Sequence, residues 1–142
     1  MPTRTARAIW NGNLPKGSGH ITLESGACES SYSFGSRFEA GSGTNPEELL
    51  AAAHAACFAM ALSLELGKAG FAPERIDAEA KVSIEPADGG FAIRSSRISC
   101  EARVAGIDAE TFARHAEATK KGCPVSKALA GVEITLDAHL IR

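Results

Sequence analysis

Residues 43–67 read GTNPEELLAAAHAACFAMALSLELG, and this stretch decides the fold. Thr44 or Asn45 can cap a helix that has Pro46 in its first turn, and two glutamates follow near the positive end of the helix dipole. Nearly every later residue is apolar or alanine up to about Leu66, after which Gly67 or Gly70 ends the helix. This composition is typical of a helix covered on all sides. We therefore expect it to be the central helix of the fold.

The segments on either side of this helix predict strands and two shorter helices. The first third reads as a β meander, in which SYSFGSRFEAGSG (31–43) is strand, loop or both. The last two thirds predict a hairpin (75–86 and 90–104), an amphipathic helix capped by Asp108, a short helix at Pro124 and a final strand (132–142). This order predicts an α+β fold with no doubly wound sheet, in a single domain of residues 1–142.

Composition and charge exclude several classes of protein. The net charge is −2, with 15 basic and 17 acidic residues, so the chain has no basic excess for binding nucleic acid. The N-terminus has no apolar segment of the secretory type, and His54 and Glu65 interrupt the apolar helix, so we expect no membrane span. We expect a soluble, cytoplasmic protein. Its four cysteines form no CxxC pair and should be free thiols in a reducing compartment.

Two of these cysteines have environments that bear on reactivity. Cys123 precedes Pro124 at a helix start, where backbone N–H groups and the helix dipole favour thiolate, although a turn cysteine with no role fits the pattern equally well. Cys57 lies in the middle of an apolar helix, where burial should raise its pKa, so local chemistry favours packing. A nearby cation would reverse that interpretation. Cys28 and Cys100 have no such support and read as inert.

Three other residues could take part in chemistry near Cys57. His54 precedes it by three residues and could be a general base, a metal ligand or a core histidine bonded to backbone, of which the pattern favours the last. Glu47 lies almost three turns before Cys57 and within roughly 80° of it around the helix axis, so it cannot touch the thiol. An arginine could bridge a carboxylate and a thiolate with its forked guanidinium, and Arg37 is the candidate.

Seven motifs together resemble one known family over nearly the whole chain. They are RFE (37–39), GTNPEELLAAAHAACFAMALS (43–63), AGF (69–71), GFAI (90–93), GID (106–108), GCPVS (122–126) and EITLD (133–137). The chain is similar to the osmotically inducible protein C (OsmC) family, within the wider group that includes the organic hydroperoxide resistance proteins. The motifs around Cys57 and Cys123 are the most specific of the seven.

The resemblance implies a thiol-dependent peroxidase that reduces organic hydroperoxides, and hydrogen peroxide less well, in defence against oxidative and osmotic stress. It implies that Cys57 is the peroxidatic cysteine and that Cys123 resolves its sulfenic acid to a disulfide. Glu47 matches the carboxylate that holds an arginine over the reactive thiolate. We assign that arginine to Arg37.

The resemblance also implies an assembly and a set of partners. The family fold has β-sheets wrapped around a long central helix, in an intertwined homodimer with two active sites at the interface. The expected substrate is an alkyl or lipid hydroperoxide, and the expected reductant is a small dithiol of the lipoyl type. No metal or bound organic cofactor is expected.

Two other classes of function fit parts of the pattern. His54, Cys57 and Cys123 could bind a metal ion, but the chain offers no tight cluster that would supply a fourth ligand. The apolar helix could instead line a pocket in a non-catalytic small-molecule-binding dimer. Replacement of either cysteine by serine would then leave peroxide consumption unchanged.

Overall fold

The computed structural model describes all 142 residues, and the chain divides into two compact units, Met1–Leu49 and Leu50–Arg142. The division falls near the start of the long helix. The prediction of a single domain therefore stays a prediction, and each unit is described by itself.

The first unit contains a three-stranded antiparallel meander and a short helix. The strands are β1 (Ala6–Asn11), β2 (Ser18–Leu23) and β3 (Glu29–Tyr32), in the order β1-β2-β3, which confirms the predicted meander. Helix α1 (Phe34–Phe38) follows, where strand or loop was predicted. The stretch is helical because Ser33 and Ser36 form a capping box, each side chain bonding the other's backbone N–H.

Helix α2 (Pro46–Lys68) begins and ends close to where its sequence predicts. Asn45 caps it, because its Oδ1 accepts the backbone N–H of Glu48 at 2.8 Å. At the other end the N–H of Phe71 donates to the carbonyl of Leu66 at 2.9 Å, while Gly70 has a φ of 90°. This left-handed glycine lets the chain turn back over the end of the helix.

The prediction that α2 is covered on all sides is wrong for a single chain. Beyond Leu50, its fully buried residues form one stripe, His54, Phe58, Leu62 and Leu66. On another face Met60 is 75% exposed and Leu64 is 58% exposed. By length and composition this helix could cross a membrane, and 22% of its most apolar window is buried. The sequence pattern could not reveal this exposed face, because alanine and leucine occur all around the helix.

The second unit is built on a mixed three-stranded sheet. Strands β4 (Pro73–Ala87) and β5 (Gly90–Val104) form the predicted hairpin, and β6 (Glu133–Ile141) pairs with β5 in parallel. Asp88 and Gly89 both have positive φ at the hairpin turn, which suits a tight turn between twisted strands. One sheet face is apolar and packs on the core, and the opposite face carries exposed charged residues.

Two helices connect β5 to β6. Helix α3 (Ala109–Gly122) is capped by Asp108, and α4 (Pro124–Ala128) follows it after a single residue, Cys123. The core of this unit joins α2, β5 and α3 through Phe58, Leu62, Leu66, Ile98, Cys100, Ala102, Val104, Ile107, Phe112 and Ala116. The α+β class and the long helix agree with the sequence-based expectation.

Candidate active site

Two free thiols meet in the second unit. Cys57 lies in the middle of α2 and is partly exposed, whereas Cys123 lies between α3 and α4 and is fully buried. Their side chains hydrogen-bond to each other. The sequence places these residues far apart along the chain, so the fold itself creates the pair.

The position of Cys123 follows from its double role at two helix ends. Its backbone N–H donates to the carbonyl of Thr119 at 2.9 Å, which completes the last turn of α3. Its own carbonyl accepts the N–H of Lys127 at 3.0 Å, which begins α4, and Pro124 fits the first helical position because it needs no donor. Both helix ends therefore fix the backbone from which the Cys123 thiol extends.

The environment of the pair moves the two thiol pKa values in opposite directions. Burial raises the pKa of Cys57, and its hydrogen bond to Cys123 raises it further. Burial also raises the pKa of Cys123, but the backbone N–H of Ser126, the Cys57 thiol, the Ser126 hydroxyl and the N–H of Val125 together lower it below its ordinary value. Of the two thiols, Cys123 is therefore the one that loses its proton more readily.

His54 lies at the buried end of the same group of residues. Its Nδ1 is 2.7 Å from Ser96 Oγ and its Nε2 is 2.8 Å from Ser126 Oγ. Burial lowers the pKa of His54, so the ring is neutral at physiological pH. The prediction of a backbone hydrogen bond is wrong, because serine hydroxyls occupy both ring nitrogens.

These contacts also bear on the metal hypothesis. A neutral imidazole binds a metal through a free ring nitrogen, and both nitrogens of His54 face hydroxyl groups. No three histidine, cysteine or acidic side chains are arranged to hold a metal ion. The geometry of His54 therefore favours a hydrogen-bonding role.

A forked ion pair forms in the first unit between Arg37 and Glu47. Arg37 Nη2 donates to Glu47 Oε1 at 2.8 Å, and Nε lies 3.2 Å and 3.3 Å from the two carboxylate oxygens. Glu47 is buried, and the guanidinium lies 5.4 Å from the centre of the Phe38 ring. This is the arginine–carboxylate pair that the sequence predicts. The predicted site residues thus form two pairs, Arg37 with Glu47 and Cys57 with Cys123.

Helix α1 presents Arg37 to Glu47 through contacts with the start of α2. Asn45 Nδ2 donates to the carbonyl of Ser36 at 2.9 Å, and Ser36 Oγ donates to the carbonyl of Thr44 at 2.7 Å. Ser36 is therefore both part of the α1 cap and a bridge to the segment that caps α2. Sequence reasoning missed this bridge, and the spacing of Ser33 and Ser36 was its one signal.

A small cavity lies beside the same arginine. Its volume is about 210 Å³, and its lining is mostly apolar and aromatic, formed by Trp10, Leu14, Tyr32, Ser33, Phe34, Arg37, Phe38 and Pro46. It can hold a compact apolar group with one end close to a fixed positive charge.

Three further residues were considered, the core thiol Cys100 and the two serines that contact His54. Burial first, and then the charges of Asp77 and Glu101, raise the pKa of Cys100 to about 11, so this core thiol stays protonated. Ser96 and Ser126 were missed as site residues by sequence reasoning. Ser126 follows Cys123 by three residues in GCPVS, a spacing that suits a hydroxyl at a helix start.

Comparison with known proteins gives a consistent family assignment. The family described as OsmC-like protein matches residues 39–137. Peroxiredoxin OsmC of Escherichia coli K12 is 50% identical over 138 residues, which cover 96% of each chain. The organic hydroperoxide resistance protein OhrB of Bacillus subtilis 168 is 32% identical over 123 residues, which cover 84% of this chain and 88% of that one.

Solved structures agree with the sequence matches. The crystal structure of Bacillus subtilis OhrB superposes with a TM-score of 0.72 at 30% identity, covering 94% of this chain and 97% of that chain. An OsmC-like protein of Mycoplasma pneumoniae superposes with a TM-score of 0.74 at 17% identity and shows the shared fold alone.

Proposed function

This chain belongs to the OsmC-like protein family, and from this premise we infer that it is a thiol-dependent peroxidase that reduces organic hydroperoxides to alcohols. One observation carries the inference: two reduced cysteines, Cys57 and Cys123, are hydrogen-bonded to each other. A peroxidase of this kind needs one thiol to attack the peroxide and a second within reach to resolve the product.

The difference in exposure supports one order in which the two thiols react. Cys123 is fully buried, whereas Cys57 is partly exposed, so a peroxide meets the Cys57 sulfur first. Cys57 must lose a proton to become a reactive thiolate, and the Cys123 sulfur, which is in hydrogen-bonding contact with it, can accept that proton when Cys123 is ionised. Cys57 is therefore the peroxidatic cysteine and Cys123 the resolving one.

In the first step the two cysteines supply the proton and the electron pair that reduction of the peroxide needs. Cys57 passes its proton to Cys123, and the new Cys57 thiolate attacks the distal oxygen of the hydroperoxide. The O–O bond breaks, Cys57 becomes a sulfenic acid by two-electron oxidation, and the alkoxide leaves as the alcohol when the proton returns through Cys123.

A disulfide and its reduction complete the cycle. The Cys123 thiolate attacks the sulfur of the Cys57 sulfenic acid, the S–S bond forms, and hydroxide leaves as water with a proton from solvent. A small dithiol of the lipoyl type then reduces the disulfide by exchange and is itself oxidised to a disulfide.

Arg37 is the proposed source of positive charge for the reacting oxygen and sulfur. Its ion pair with Glu47 uses Nε and Nη2, and the other amino group keeps its donors for an anionic partner. Glu47 fixes the guanidinium, so the charge is in place before the transition state forms. The apolar cavity beside Arg37 suits the organic part of an alkyl hydroperoxide.

We further propose that two chains form a homodimer through the exposed face of α2. Met60 and Leu64 expose large apolar side chains on a helix that is apolar nearly all round. Such a face is stable in water when another apolar surface covers it, and a second copy of the chain supplies the same surface. With α2 covered in this way, the protein is soluble, and we propose the cytoplasm as its compartment because its cysteines are free thiols.

The test is the consumption of cumene hydroperoxide with dihydrolipoamide as reductant. We expect Cys57→Ser to abolish turnover, and Cys123→Ser to oxidise once and then accumulate sulfenic or over-oxidised Cys57, detected by mass spectrometry. Cys28→Ser, which removes a free thiol outside the pair, is the control and should retain wild-type activity. Normal turnover by Cys57→Ser would refute the proposal.

A further inference from the structure

A continuous chain of hydrogen bonds runs from the core of the second unit to the thiol pair. It starts at Ser96, passes through His54 and Ser126 to Cys123, and ends at Cys57. Ser96, His54 and Cys123 are 0% exposed and Ser126 is 4% exposed. The reaction steps above use the two cysteines and leave the other three groups without a role.

The donor and the acceptor of each hydrogen bond in this series can be assigned in turn. When Cys123 reacts as a thiolate it has no proton to give, so in that state the hydroxyl of Ser126 donates to its sulfur. Ser126 Oγ then accepts from His54 Nε2, which makes Nε2 the protonated nitrogen of the neutral ring. His54 Nδ1 in turn accepts the hydroxyl proton of Ser96. In this arrangement every buried side-chain nitrogen and oxygen of Ser96, His54 and Ser126 has a hydrogen-bond partner.

Packing alone does not call for these residue types. His54 continues an otherwise apolar stripe of α2 with Phe58 and Leu62, and Ser96 lies on the buried face of β5 beside Ile98. Apolar side chains would fill both positions without the cost of burying polar groups. The polar groups also converge on one of the two reacting sulfurs.

We propose that His54 is a positioning residue for the resolving step, acting through Ser126 on Cys123. The histidine holds the Ser126 hydroxyl with its proton toward the Cys123 sulfur, which favours the thiolate form of that sulfur and fixes its position for the attack on the sulfenic acid of Cys57. This inference rests on the proposed peroxidase function. It adds His54 and Ser126 to the residues of the reaction without giving either of them contact with the peroxide.

The step that His54 assists is the attack of Cys123 on the oxidised Cys57. The Cys123 thiolate supplies the electron pair of the new S–S bond, the S–O bond of the sulfenic acid breaks, and hydroxide leaves as water with a solvent proton. Loss of the hydroxyl donor leaves more of Cys123 as thiol, which is a poor nucleophile. Disulfide formation should therefore slow more than peroxide reduction.

The experiment separates these two steps in single-turnover kinetics on the full-length protein. Sulfenate formation and disulfide formation are followed after mixing reduced protein with cumene hydroperoxide. We expect Ser126→Ala and His54→Leu to slow disulfide formation about ten- to a hundredfold, the range expected for one hydrogen bond to a charged acceptor. The second-order rate of sulfenate formation should change much less, and over-oxidised Cys57 should increase.

Two further variants distinguish hydrogen bonding from loss of packing. His54→Gln keeps an amide donor near the position of Nε2, so it should restore much of the rate that His54→Leu loses. Ile98→Val removes one buried methyl group close to Ser96 on the same strand face, and it should resolve the sulfenate at the wild-type rate. Equal slowing by Ile98→Val, or no rescue by His54→Gln, would overturn the proposal.

A spectroscopic measurement provides an independent check. In a Cys28→Ser, Cys57→Ser background, the ultraviolet thiolate absorbance that develops as the pH is raised towards 9 comes from Cys123, because Cys100 stays protonated with a pKa of about 11. Addition of Ser126→Ala should reduce this absorbance, and an unchanged signal contradicts the proposal. If wild-type protein forms no sulfenate at all, the peroxidase function fails, whereas wild-type rates in all the His54 and Ser126 variants overturn the positioning role alone.

Discussion

At the scale of single residues, some contacts of the site could be predicted from the sequence and others could not. The pairing of Arg37 with Glu47 was predicted, because the motifs around these residues resemble a family in which a carboxylate holds an arginine. The serine partners of His54 were not, since they come from a strand 42 residues away and a helix 72 residues away. The opposite pKa shifts of Cys57 and Cys123 agree with their local sequence environments, an apolar helix and a helix start.

The role proposed for Glu47 gives a prediction at this scale. Glu47→Gln keeps the shape of the side chain but removes the charge that holds the guanidinium of Arg37. We expect kcat/KM for cumene hydroperoxide to fall about ten- to a hundredfold, because charge-assisted forked hydrogen bonds are of that strength.

The neighbouring glutamate provides a matched control. Glu48 is exposed and accepts the hydroxyl of Thr44 at 2.7 Å, and glutamine can still accept that bond. Glu48→Gln should therefore keep wild-type kinetics. Equal losses in the two variants would mean that the charge of Glu47 has no special role.

At the scale of elements, local signals were sufficient wherever a helix or strand had a cap, a turn or a clear period. Asn45, Asp108 and Gly70 stand where they were expected, and the alternation in β4, β5 and β6 matches their buried face. Helix α1 was missed because a polar stretch rich in glycine and serine has no apolar period. Its stability comes from reciprocal serine bonds, which depend on two residues alone.

The cap of α3 gives a prediction about pH. The N–H and then the hydroxyl of Thr111 hold the pKa of Asp108 below its ordinary value of 3.8. Because the folded pKa is the lower one, the stabilisation by the charged carboxylate is complete above about pH 3.8 and is lost as the pH falls through the folded value. Asp108→Asn keeps a capping oxygen, so it should lower Tm at neutral pH and match the wild type in stronger acid.

Thermal unfolding at a series of pH values measures this difference. Asp88→Asn is the control, because Asp88 has positive φ at the hairpin turn, where asparagine fits, and caps no helix. Its Tm should follow that of the wild type throughout. A gap between Asp108→Asn and the wild type that widens in acid would contradict the assigned direction.

At the scale of the whole molecule, the exposed face of α2 was the largest departure from expectation. The same composition that predicted a fully covered helix leaves Met60 and Leu64 in contact with solvent in one chain. Sequence periodicity identifies a helix that needs cover, but it cannot say whether the cover comes from the same chain or from another. If a second chain covers the face of α2 that carries Met60 and Leu64, the helix is central to the homodimer.

The dimer proposal predicts the effect of a charge on this face. Met60→Glu places a carboxylate where an apolar contact is proposed, and an unpaired buried charge costs about 3–5 kcal/mol. We expect light scattering after size-exclusion chromatography to show a dimer for the wild type and a monomer for the variant. Thr135→Glu, on the exposed charged face of the sheet, is the control and should stay dimeric. A monomeric wild type would contradict the proposal.

The place of Cys123 between two helices has a consequence for the oxidised protein. The disulfide to Cys57 would tie the long helix to the junction of α3 and α4 and close a large covalent loop through the hairpin. Closing such a loop restricts the unfolded chain and so raises the free energy of unfolding. Each encounter with a peroxide would leave the protein harder to unfold and to digest until the dithiol arrives. Resistance to heat or proteases would then distinguish molecules that are oxidised from those that the dithiol has already reduced.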